Sequence, residues 1–347
     1  MRYKLLGKTG LRVSELALGT MTFGEDWGWG ASQEESRKIF DAYVAAGGNF
    51  IDTSVNYTNG TAEKFVGEFI AADREHFVVA TKYSLNTRQG DPNAGGNSKK
   101  NLVQSLEKSL KQLRTHYVDV YFVHMWDFMS PVEEVMRALD DVVRAGKVLY
   151  VGISDTPAWI VSQANTLAEL RGWSHFVALQ VPYALNWRDV ERDLLPMAHA
   201  FDMAVTVWAI LGTGLLTGKF SRAGGEPTRI DRTTLTAEQL ELADAVAKIA
   251  DEIGRTSSQV AINWVRQQGR ANIIPILGAR SQAQLKDNLA CLEFQLTDEH
   301  LARLDEASAI KLGFPQEFGG RQYIFGGTEH LIDNHRSPQR KPGKQKT

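Results

Sequence analysis

A closed (β/α)8 TIM barrel with an N-terminal β-hairpin, additional helices and long loops is the fold class this sequence predicts. Three observations lead there. Eight short segments rich in Val, Ile, Leu and Phe recur along the chain, apolar at consecutive positions as strands buried on both faces are. Amphipathic helical patterns stand between almost all of them, the rhythm of β-α units and a parallel sheet. A length of 347 residues suits one such barrel with insertions.

Residues 1–15 hold a Gly-Lys-Thr-Gly turn (Gly7 to Gly10) between two strand-like pieces, the signature of a hairpin. The first buried strand is 16–19, followed by a loop over 20–31 with Phe23, Trp27 and Trp29 among glycines. Ser32-Gln33-Glu34-Glu35 has the form of a capping box, and Ile39, Ala42, Tyr43 and Ala46 continue at helical spacing until Gly47-Gly48. Alternation then runs strand 49–52, helix 61–71, strand 77–82, helix 98–113, strand 118–124. Ser130-Pro131-Val132-Glu133 predicts a capped helix start. Strand 148–154, helix 157–170, strand 176–181, a helix near 190–200 and strand 203–208 follow. A long connection containing Gly212, Gly214 and Gly218 passes through a polar segment at 224–232. Helices at 236–252 and 257–267 precede the last strand, 273–277, and helices at 281–290 and 297–308 close the ordered part. The domain expectation is one barrel over 1–310 and a C-terminal extension over 311–347. Its last stretch, 336–347, has five Lys or Arg, two Pro and no apolar residue, the composition of a disordered tail.

Composition bounds the class. Hydrophobic content of 43% and charged content of 23% supply a sizeable core, and a formal net charge of -2 gives no reason to expect nucleic acid or an anionic membrane as partner. The single cysteine, Cys291, has no internal disulfide partner and fits a reducing compartment. No signal peptide or membrane span is expected, so the expected location is cytoplasmic.

Three successive strand ends carry reactive side chains. Asp52 ends 49–52, with Tyr57 five residues on in the strand-to-helix loop; Lys82 ends 77–82; His124 ends 118–124. In a parallel α/β barrel these ends form the face where sites are built. A tyrosine with its ordinary pKa near ~10 is a poor proton donor at neutral pH. A neighbouring ammonium favours its phenolate, and a carboxylate keeps that lysine charged. Tyr57, Lys82 and Asp52 are the residue types for this arrangement, with Lys82 expected to depress the Tyr57 pKa and His124 to orient a substrate oxygen. The set suits carbonyl reduction. A barrel glycosidase would need a second carboxylate facing Asp52, which has a lysine instead.

Here the chain resembles the aldo-keto reductases. Leu6-Gly7-Lys8-Thr9-Gly10-Leu11-Arg12-Val13-Ser14 and Leu18-Gly19-Thr20-Met21 resemble that family's start. Asn49-Phe50-Ile51-Asp52-Thr53 through Tyr57, with Thr81-Lys82 and Val123-His124, is similar to its proton-relay tetrad in order and spacing. Gly146-Lys147-Val148, Gly152-Ile153-Ser154 and the run from Gly214 to Lys219 match further segments, so the resemblance spans about residues 1–305. It implies NADPH/NADP+ bound without a Rossmann fold, and no Gly-x-Gly-x-x-Gly follows any strand. It implies Asp52, Tyr57, Lys82 and His124 as the catalytic four, Tyr57 being the general acid. It places Ser154, Asp155 and Gln180 on the nicotinamide carboxamide and Trp208 on the nicotinamide ring. Leu211, Gly214 and Lys219 fall at the pyrophosphate, and Gly278, Arg280, Gln284 and Asn288 at the adenosine end and 2′-phosphate. Asp155 departs from the Asn of many relatives, because a carboxylate accepts from the carboxamide NH2 but cannot donate to its carbonyl. Trp208 stands where Tyr is frequent.

The resemblance therefore implies an NADPH-dependent reductase of aldehydes or ketones to alcohols, reversible in principle, acting on a small-molecule carbonyl or alcohol. The same fold and cofactor also serve relatives that are regulatory subunits of membrane channels, the alternative reading. Trp27, Trp29, Tyr83, Trp126 and Phe128 follow strands and are expected to wall the substrate pocket, favouring bulky aromatic carbonyls over small sugars. No metal site is expected.

Overall fold

The computed structural model describes residues 1–220, 234–318 and 321–332. The polar segment 224–232 and the basic tail 336–347 lie outside the described residues. Two compact units are present, Met1–Ala309 and Ile310–Thr347. In the second, a short helix spans Arg321–Phe325, and Phe314, Phe318 and Ile324 are exposed.

The first unit opens with β1 (Tyr3–Leu5) and β2 (Arg12–Ser14), an antiparallel hairpin. Eight parallel strands follow: β3 (Ala17–Gly19), β4 (Phe50–Asp52), β5 (Val78–Tyr83), β6 (Val118–Val123), β7 (Val148–Ser154), β8 (Phe176–Pro182), β9 (Ala204–Trp208) and β10 (Asn272–Gly278). They close into a barrel in sequence order, β10 pairing with β3. The (β/α)8 barrel and its hairpin are thus as the sequence predicts.

The hairpin plugs the amino end of the barrel. Leu6 and Val13 join the inward residues Ala17, Phe50, Val78, Val120, Val177 and Ile274 in one buried cluster, and Lys4 Nζ donates to the Ile273 carbonyl at 2.5 Å. Gly7 holds φ +56, and a Cβ there would collide with the Val177 carbonyl, so only glycine fits the turn.

Helices cover the outside. Those that matter below are α1 (Gln33–Ala45), α2 (Thr61–Phe69), α3 (Lys99–Leu113), α4 (Val132–Arg144), α5 (Ala158–Arg171), α6 (Leu194–Ala200), α7 (Ala237–Glu252), α8 (Ser257–Arg266) and α9 (Gln282–Leu289). Ser32 caps α1 through the Glu35 amide, but the Glu35 carboxylate accepts from the Gln282 amide of α9 at 2.7 Å instead of closing the box. The predicted cap at Ser130 is not made. Ser130 instead donates to Asp127 at 2.8 Å, and α4 starts after Pro131 with no side-chain cap. Complete capping boxes occur at Thr236/Gln239 on α7 and Thr256/Gln259 on α8.

Candidate active site

Strand parity decides what faces the barrel interior. On β5, Val78 and Ala80 belong to the interior cluster while Val79 and Tyr83 pack outward against helices. Lys82, two residues beyond Ala80, therefore points inward. Phe122 of β6 lies inside, and His124 follows by the same parity. Asp52 pairs in register with Ala80, which places the carboxylate one step below Lys82 on the adjoining strand.

Tyr57 reaches the same point by a tight turn. Thr58, Asn59 and Gly60 all have positive φ, and the φ of +94 at Gly60 is a conformation that favours glycine. Thr58 Oγ1 donates to the Phe23 carbonyl at 2.6 Å, which ties the turn to the 20–31 loop.

The four side chains meet around one ammonium. Lys82 Nζ donates to Asp52 Oδ2 at 2.6 Å, to the Thr53 carbonyl at 2.8 Å and to Tyr57 Oη at 3.2 Å. With all three protons used and the side chain fully buried, Lys82 is fixed. Gln180 Nε2 donates to the other carboxylate oxygen, Asp52 Oδ1, at 2.9 Å and to Thr206 Oγ1 at 3.2 Å. The His124 ring stands edge-on to Tyr57, centroids 5.9 Å apart.

Burial and charge set the protonation states. Burial draws the Lys82 pKa down, but Asp52 and the Tyr57 oxygen outweigh it, so the net direction is up and the ammonium persists. For Tyr57 the expectation of a depressed pKa is corrected: burial outweighs the attraction of Lys82 for the phenolate, and the pKa is raised. Burial, reinforced by Lys82, pushes His124 well below the ordinary histidine range, so its imidazole is neutral at physiological pH. Burial raises Asp155 to about 6, against the indole of Trp208 and the charge of Lys82, which favour its carboxylate.

A cavity of about 850 Å³ opens above this cluster. Asp52, Tyr57 and His124 line it, as do Asp155, Gln180 and Trp208. Leu211, Gly214 and Lys219 border its extension, and Gly278, Arg280, Gln284 and Asn288 its far end. Of the residues singled out for a cofactor, only Ser154 is not in the lining. Its buried hydroxyl lies beside the Asp155 carboxylate but makes no hydrogen bond of adequate geometry. Arg280, exposed, follows β10, and its backbone amide donates to Gln284 Oε1 at 2.9 Å. Asp287 also lines this end; its carboxylate accepts from Gln259 Nε2 at 2.8 Å and Thr256 Oγ1 at 3.2 Å.

The substrate wall departs from the sequence reading. Trp27 lines the cavity, with Trp29 packed on it at 5.7 Å and outside the lining. Tyr83 is not in the wall: parity turns it outward, where it stacks on Tyr121 at 5.2 Å. Trp126 is buried in the core between barrel and helices, and Phe128 is 69% exposed on a turn with φ +58; neither lines the cavity. Met21, Asn56, Leu85, Met125 and Ile210 do line it and were missed. They are aliphatic, thioether or amide side chains on loops, where no periodicity reports orientation.

The family model of the aldo/keto reductases matches residues 15–309. The chain belongs to the aldo/keto reductase family. It is 36% identical over 338 residues to a putative aryl-alcohol dehydrogenase, AAD14, of Saccharomyces cerevisiae, covering 92% of this chain and 90% of that one. An aryl-alcohol dehydrogenase [NADP(+)] of Phanerodontia chrysosporium is 37% identical over 329 residues, 88% of this chain and 85% of the relative. A norsolorinic acid reductase of Aspergillus flavus is 36% identical over 326 residues, 90% and 82% respectively. This member of the family is an oxidoreductase. Among its described residues no helix is long and apolar enough to cross a membrane, and no group of His, Cys, Asp or Glu could hold a metal ion.

Proposed function

We propose that this aldo/keto reductase is an NADPH-dependent reductase of aryl aldehydes or ketones, reversible, with Tyr57 as proton donor. The observation that carries the reading is the Lys82 ammonium bridging Asp52 and the Tyr57 hydroxyl at the floor of the cavity. The donor set fits a nicotinamide cofactor: the orphaned Ser154 hydroxyl, the Asp155 carboxyl and the Gln180 carbonyl offer partners for a carboxamide, and Trp208 offers a flat face beside them. NADPH, when bound, supplies the hydride.

The side chains do the rest. Tyr57, protonated because burial holds its pKa high, gives its proton to the carbonyl oxygen as negative charge develops there. The phenolate that remains faces Lys82, whose ammonium stabilises it; Asp52 keeps that ammonium charged, and Gln180 holds Asp52. Neutral His124 directs the carbonyl toward Tyr57. In the reverse direction the phenolate takes the alcohol proton.

Trp27, Met21, Leu85, Met125 and Ile210 give the wall an apolar character that suits an aryl group. Burying a ring contributes a few kcal/mol at roughly 25 cal/mol per Å². Two of the relatives above bear aryl-alcohol dehydrogenase names. A screen of NADPH oxidation over aromatic aldehydes, ketones, dicarbonyls and sugars tests the reading. Aryl aldehydes should exceed aldoses in kcat/KM by roughly 100-fold, the worth of a few kcal/mol; equal values for the two classes would overturn the aryl assignment.

A further inference from the structure

The proton count around Ser54 reaches beyond the four residues already placed. Ser54 is fully buried two residues after Asp52. Its hydroxyl lies 2.7 Å from Asn56 Oδ1, 3.3 Å from the Lys82 carbonyl and 3.3 Å from His124 Nδ1. A hydroxyl has one proton to give. A neutral imidazole likewise has one N–H, and the partner of one ring nitrogen fixes the role of the other. Two arrangements follow. With the Ser54 proton directed to Asn56 Oδ1 or to the Lys82 carbonyl, the Ser54 oxygen accepts from His124 Nδ1–H, and Nε2 turns a lone pair to the cavity. With the Ser54 proton directed to Nδ1, the imidazole hydrogen sits on Nε2.

Only the second arrangement can bind a carbonyl oxygen, which accepts and cannot donate. The exchange between them is local. The Asn56 carboxamide bonds no described residue other than Ser54, so turning it over presents its NH2 to the Ser54 oxygen and leaves the hydroxyl proton to Nδ1 or to the Lys82 carbonyl, both at 3.3 Å. The imidazole gives its Nδ1 proton to cavity water and regains one at Nε2, with no net change of charge. Asn56 and His124 both line the cavity, so water reaches them.

We propose that Ser54 is a positioning residue: with Asn56 it sets the tautomer of His124, donating to Nδ1 so that Nε2–H faces the substrate oxygen. The value of that N–H to turnover rests on the carbonyl-reductase reading; the tautomer does not. Burial and Lys82 together keep the ring neutral, which makes the tautomer the only variable.

Nitrogen-15 NMR of histidine-labelled full-length protein at neutral pH, with His124→Gln used for assignment, reads the tautomer directly. Wild type should show pyridine-type Nδ1 and pyrrole-type Nε2. Ser54→Ala should move population toward Nδ1–H and lower kcat roughly 5- to 10-fold, the bias of one neutral hydrogen bond, with KM for NADPH unchanged. Asn56→Asp supplies a second route where Ser54→Ala does not fold: a carboxylate only accepts, so it captures the Ser54 proton and places a proton on Nδ1. An Nε2–H tautomer that persists in either variant, or Nδ1–H in wild type bound to NADPH, overturns the proposal. A Ser54-dependent tautomer in a protein that turns over no carbonyl would leave it standing and refute the reductase reading instead.

Discussion

Asp155 carries a carboxyl where the resemblance to the family implies Asn. It sits at φ +41, a left-handed conformation Asp and Asn tolerate better than most residues, and lines the cavity beside the Trp208 indole with Lys82 and Tyr57 in electrostatic range. Burial raises its pKa to about 6, so it is neutral below that value and a carboxylate above it. A carboxylate near the nicotinamide favours the positively charged oxidised ring over the neutral reduced one. NADP+ should therefore bind more tightly as pH rises through about 6, by roughly 3- to 10-fold for a partly screened charge pair. The affinity for NADPH should change little. Asp155→Asn should abolish the inflection. The same variant should raise thermal stability at about pH 8 and not at about pH 4, since a carboxyl whose folded pKa lies above its unfolded value destabilises only once it ionises. Fluorescence titration of NADP+ across that range, and melting curves at its two ends, check both expectations. At this scale Asp52, Tyr57, Lys82 and His124 were legible because each terminates or follows an apolar run. Ser54 was not, since a serine in a loop has no pattern to announce it.

At the scale of the element, parity explains most of what reading the residues alone gets wrong. Lys82 faces inward, so Tyr83 must face outward, and its hydroxyl is buried without a partner. Burial drives its pKa far up. Tyr83→Phe removes a polar group that has already lost its water, and should leave kcat/KM unaltered while stabilising the protein by about 1 kcal/mol in urea unfolding. A changed substrate preference would return Tyr83 to the pocket wall. The turn from β10 to α9 carries the opposite lesson. Arg280, exposed at the far end of the cavity, precedes the Ser281-capped start of α9, and Asp287, seven residues on, lines the same space. Its carboxylate is engaged by Gln259 and Thr256, and under the NADPH reading proposed above Arg280 is the cation for a 2′-phosphate. Arg280→Ala should weaken NADPH by about 10- to 100-fold and leave NADH nearly untouched, measured by tryptophan quenching. Equal losses would remove Arg280 from that role. Strands and helices were readable here because burial on both faces and amphipathic spacing are strong signals. The Ser130 cap was not, because Asp127 competes for the same hydroxyl.

The unit Met1–Ala309 is a barrel plugged at its amino end by its own hairpin, and Asp52, Tyr57, Lys82 and His124 stand at the carboxyl end of its strands. Periodicity and length made the barrel legible; the shape of the pocket was not, since Met21, Leu85, Met125 and Ile210 come from loops whose direction only the closed ring determines. What unifies the site is the buried Lys82 ammonium, bonded to the Asp52 carboxylate and the Tyr57 phenol, with the His124 imidazole edge-on to that phenol. Under the proposed function that arrangement is an acid for a carbonyl oxygen, with Tyr57 as the donor. Single-turnover oxidation of bound NADPH by an aryl aldehyde, followed in wild type and Tyr57→Phe, tests this most directly. A drop of about 10²–10⁴-fold in the rate, with NADPH affinity unchanged, is the result expected when the proton donor is lost; a variant that reduces the aldehyde at the wild-type rate would contradict it.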